Sequence, residues 1–130
     1  MSQVPRSLGL ILCDQVIFER ETLKPSLIGC FTAMNSEEFP FTHPHFDVYS
    51  PLTDGLGTVI LDLVVVDLEN DVQIYAHSME FPFPDPLQVI NLRMRVRRCA
   101  FPHPGTYLFT LFGDGEELAH RRVLIYQREE

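Results

Sequence analysis

The 130 residues are 45% apolar, 11% aromatic and 22% charged, with a formal charge of −8. That balance excludes intrinsic disorder, collagen-like repeats and a disulfide mini-scaffold, and it allows one domain, residues 1–130, with a full core. The acidic total argues against general phosphate affinity, so nucleic acid is not expected as a partner.

The first apolar run, Leu8 to Cys13, follows one basic residue, Arg6, and stops at Asp14. It is too short for the apolar region of a signal peptide with a cleavage site, or for a membrane span. A cytoplasmic location with no membrane partner is therefore expected. Beyond it, Gly and Pro punctuate the chain at short intervals, and the apolar period between them is two rather than 3.6. Strands are predicted over 7–13 or 7–18, 26–33, 45–52, 58–67, 72–80 and 87–97. A short helix over 14–23 is the alternative at the start, but Val16, Ile17 and Phe18 suit a pleated surface better.

Turns fall at Glu19 to Pro25, Asp54 to Gly57 and Glu69 to Asp71. The run from Thr58 to Asp67 is apolar on both faces, which predicts a central strand whose outer face needs a cover. A last hairpin runs from Tyr107 through the Gly113-Asp114-Gly115 turn and returns over Leu118 to Tyr126. Two segments break the rhythm, Asn35 to Pro44 and Phe81 to Pro86, and their prolines predict connections or corners. Seven to nine short strands imply two packed antiparallel sheets, an all-β sandwich of immunoglobulin-like type.

Four features could carry function. Residues 90 to 97 alternate, with Arg93, Arg95 and Arg97 on one face and Arg98 following. They form either a site for an acidic protein or a solvated face paired with carboxylates such as Asp62, Glu80 or Asp71. Phe81 and Phe83, in the string Phe-Pro-Phe-Pro-Asp-Pro, read as a recognition arm or as aromatic plugs of a rigid corner. His43, His45 and Asp47 could ligate a metal at the sandwich mouth, although such spacing has many false positives. Cys13, Cys30 and Cys99 match no zinc or redox spacing and are expected as three buried thiols, with a Cys30–Cys99 bridge as the alternative.

Leu12-Cys13-Asp14, Ser26 to Phe31, Phe39-Pro40, Phe81-Pro82-x-Pro84-Asp85-Pro86 and Phe101-x-x-Pro104-Gly105-x-Tyr107-x-Phe109 resemble a group of short, uncharacterised bacterial proteins that share a domain of unknown function. That resemblance spans nearly the whole chain and implies no activity, ligand or catalytic residue. Pro104 to Tyr107 also looks like the corner that opens the penultimate strand of immunoglobulin-like sandwiches. Phe109 stands where a disulfide-bonded member has its second cysteine, so no inter-sheet bridge is implied.

No catalytic residue and no cofactor are expected, because there is no nucleophile elbow, no phosphate loop and no CxxC. The expected function is a non-enzymatic binding module for an unidentified protein or for a second copy of itself. A small-ligand or metal-binding protein using His43, His45 and Asp47 is the alternative.

Overall fold

The computed structural model describes residues 2–129, which contain twelve strands and no helix. The strands are β1 (Arg6–Ser7), β2 (Ile11–Phe18), β3 (Pro25–Phe31), β4 (Ala33–Ser36), β5 (Phe41–Thr42), β6 (Phe46–Thr53), β7 (Gly57–Asp67), β8 (Val72–Phe83), β9 (Ile90–Val96), β10 (Ala100–Phe101), β11 (Gly105–Gly113) and β12 (Glu116–Gln127). They form two five-stranded sheets and a two-stranded ribbon, β5–β10, rather than two sheets alone.

In the first sheet β6 is the hub. β9 lies on one side of it, β1 and then β2 lie along the other, and β3 is outside β2. The second sheet has the order β4-β12-β11-β7-β8, and β4 runs parallel to β12. β4 lies within a stretch that lacks period-two alternation, and its pairing joins Ala33 with Leu124, far along the chain. The local pattern therefore places its residues at the end of a strand and the start of a loop.

The main core lies where both sheets meet. Leu12, Phe46, Val48, Leu52, Leu92 and Met94 from the first sheet join Val59, Leu61, Leu63, Val65, Phe109 and Ile125 from the second. Removing one buried leucine such as Leu63 should cost about 2–5 kcal/mol, because the transfer loss and the cavity add. β7 is central, between β8 and β11, and its second face is only partly covered: Val64 and Val66 are half-buried and Ile60 is 44% exposed.

The Phe81-Pro82-Phe83 segment is not a corner. β8 continues through it, at a sheet edge, the position that tolerates proline. Phe83 is 3% exposed and packs over Gly55, where a Cβ would stand 2.7 Å from its ring. The 87–97 prediction also contracts: β9 ends at Val96, Arg97 follows it, and Arg98 turns the chain with φ of 60°.

Candidate binding cleft

Strict alternation in β9 buries Leu92, Met94 and Val96 and points Arg93 and Arg95 outward. β9 pairs only with β6 among the described residues, so its other edge is open. The Leu8 N–H donates to the Pro51 carbonyl at 2.9 Å, which fixes the direction of the Pro51 backbone toward β1. Successive residues of a strand direct their backbone groups to opposite edges. Asp47, Tyr49 and Pro51 therefore face β1 and β2, and their register partners on β9 are Arg95, Arg93 and Asn91. Those three residues lie in the non-hydrogen-bonded pairs, so their N–H and C=O groups point into the open edge.

That edge borders a cleft of about 570 Å³ between the two sheets. Tyr75, His77 and Met79 of the edge strand β8 line one side, and Arg93, Met94, Arg95 and Arg97 line the other. The sequence grouped four arginines; three are brought together here. Arg98 instead lies beside Thr42, Pro44 and His45 in a separate hollow.

The arginines are not neutralised by Asp62, Glu80 or Asp71. Among the described residues only Arg95 of these four has an ion-pair partner, the fully buried Asp47: Arg95 Nε donates to Oδ1 at 2.9 Å and Nη2 to Oδ2 at 3.3 Å. The Val16 N–H donates to the same Oδ2 at 2.8 Å, where β2 has left β6 after Cys13. Burial raises the Asp47 pKa, but the Arg95 bonds, the Val16 amide and the Arg95 and Arg93 charges outweigh it and hold the pKa low. Arg93 and Arg97 are exposed and have no salt bridge among the described residues.

The other candidate residues separate. His43 stacks on Phe31 and meets Phe41 and Phe46 edge-on, as part of an aromatic end cap. His45 is exposed, and Asp47 is committed to Arg95 and Val16. The three do not form a metal-holding group, since the only such group among the described residues is Asp67, Glu69 and His103. Phe83 lies in the core with Phe81 against it at 5.0 Å, which leaves Phe83 no surface to offer a partner. Cys13 and Cys99 are buried, but Cys30 is exposed and none is bridged, which corrects the expectation of three buried thiols.

Asp67, Glu69 and His103 were not grouped by the sequence, because Asp67 reaches the corner only through the β7–β11 pairing that sets it opposite Tyr107. His103 Nε2 is 2.6 Å from Asp67 Oδ2, while Nδ1 is 2.7 Å from the Pro104 carbonyl and 3.1 Å from Glu69 Oε2. Every one of these neighbours is an acceptor, so the protonated ring, a donor at both nitrogens, satisfies them all. The Tyr107 hydroxyl donates to the His103 carbonyl at 2.6 Å, which ties the same corner to the core. These contacts make the cluster a clamp on the corner.

Together these features define an all-β protein of several sheets with an open basic edge. The chain belongs to a family of unknown function, DUF6941, whose model matches residues 8–125. No curated protein matches it. Among solved structures, one similar chain is the alkylpurine DNA glycosylase AlkC of Pseudomonas fluorescens, bound to DNA containing an abasic site analogue. The two are 11% identical with a TM-score of 0.47, and the match covers 73% of this chain and 28% of the glycosylase chain. The exclusion of nucleic acid is withdrawn, because a net charge of −8 is a whole-molecule average and excludes no local basic face such as that of Arg93, Arg95 and Arg97. At this TM-score the likeness supports no partner for the present chain. Among the described residues no helix is long and apolar enough to cross a membrane.

Proposed function

We propose that the chain is a non-enzymatic binding module on an immunoglobulin-like sandwich, and that it takes an acidic segment of another protein in the cleft between β8 and β9. The sandwich reading is supported by the shared core of the two sheets and the Tyr107 bond at the start of β11. The binding reading is carried by one observation: Arg93 and Arg97, with no salt bridge among the described residues, stand at an open cleft in a protein of net charge −8. Exposed guanidinium groups with no internal partner are available for bidentate contact with carboxylates.

Fluorescence anisotropy with a labelled glutamate-rich decapeptide tests this. The double variant Arg93→Glu/Arg97→Glu should bind it at least tenfold more weakly than the native chain, and raised salt should weaken the native complex. Equal binding by the variant would overturn the reading. So would tighter binding of a single-stranded DNA oligonucleotide than of the peptide at the same salt concentration.

A further inference from the structure

We infer that the occupant binds by strand addition: an extended segment pairs with the free edge of β9 and carries carboxylates at alternate positions. This rests on the proposed cleft and specifies how it is filled. The same residues that project the guanidinium groups also present the unpaired backbone. Asn91, Arg93 and Arg95 are in non-hydrogen-bonded pairs with Pro51, Tyr49 and Asp47, so their N–H and C=O groups are the ones an added strand would meet.

The chemistry of the added strand follows from the pleat. A residue set directly opposite Arg93 or Arg95 places its side chain on the same face as that arginine, within reach of a cross-strand pair. Its neighbours in the added strand point to the other face, where Met94 of β9, and Tyr75 and Met79 of β8 on either side of His77, offer apolar contact. The matching segment therefore alternates acidic and apolar residues. Charge also selects against the commonest misuse of an open edge. A second copy offering its own β9 would set arginine against arginine, and like charges directly opposite are destabilising. The edge thus repels its own kind and accepts an acidic strand.

The test uses two decapeptides alternating Glu and Val, one native and one N-methylated on alternate backbone nitrogens so that it cannot complete a ladder. Binding is measured by anisotropy, and amide hydrogen exchange is followed by NMR on the whole chain. The native peptide should bind at least tenfold tighter than the N-methylated one and slow the exchange of the Arg93 and Arg95 amides. Suppose instead both peptides bind equally, lose binding with Arg93→Glu/Arg97→Glu, and leave those amides unchanged. Strand addition is then overturned while the basic cleft stands. Failure of both peptides to bind would overturn the cleft reading and this one together.

Discussion

Burial by itself would favour a protonated Asp47, yet four favourable contacts keep its carboxylate ionised, and its stabilising effect depends on that charge. Its pKa is lowered on folding, so its contribution is present above about pH 4 and is lost as pH falls through the lower folded value. Asp47→Ala would strand the Arg95 guanidinium and the Val16 amide, at a cost of about 3 kcal/mol in urea unfolding. A loss under about 1 kcal/mol would show that the pair contributes little. His103 has the opposite sign. The Pro104 carbonyl raises its pKa first; partial burial opposes, and Asp67 and Glu69 add to the rise. Its contribution is complete below about pH 6.5 and disappears as pH rises through the raised folded value. The native melting temperature should therefore fall between pH 6 and pH 9 by more than that of His103→Gln. Parallel curves would contradict the clamp.

At the scale of single elements, the thiols report on how β2 and β3 are placed. Cys13 and Cys30 are directly opposite in the register, but Cys13 packs with Val16, Tyr49 and Leu27 while Cys30 is exposed. Burial pushes the Cys13 thiol up to about 11 and the Cys99 thiol up to about 12. A thiol reagent at pH 8 should label one cysteine in the folded protein and three after denaturation; two or more labelled quickly in the native state would contradict this packing. The long strands were legible because period-two alternation and tight turns are local signals: the turns at Asp54 to Gly57, Glu69 to Asp71 and Gly113 to Gly115 each lie between or overlap the ends of the expected strands. β4, β5 and β10 were not, since two to four residues among prolines show no period and owe their structure to distant partners. Phe83 illustrates the same limit. Its proline neighbours suggest a corner, and only the packing over Gly55 makes it core.

Across the whole molecule, charge is unevenly distributed. Seven of the ten basic residues come after position 90, and Arg93, Arg95 and Arg97 gather at one edge of an otherwise acidic chain. The arginine alternation was visible in the sequence; its partner Asp47, its open backbone edge and the facing β8 were not, because they depend on which strands neighbour β9. Such an edge can persist unpaired because arginine discourages pairing between copies, and the same arginines attract an acidic strand. A charge exchange tests this account most directly. The native protein should bind a decapeptide alternating Glu and Val and ignore its Lys counterpart, and Arg93→Glu/Arg97→Glu should reverse that preference. A double variant that keeps the native preference, or that binds neither peptide while the native protein binds both, would contradict the basic edge as the binding site.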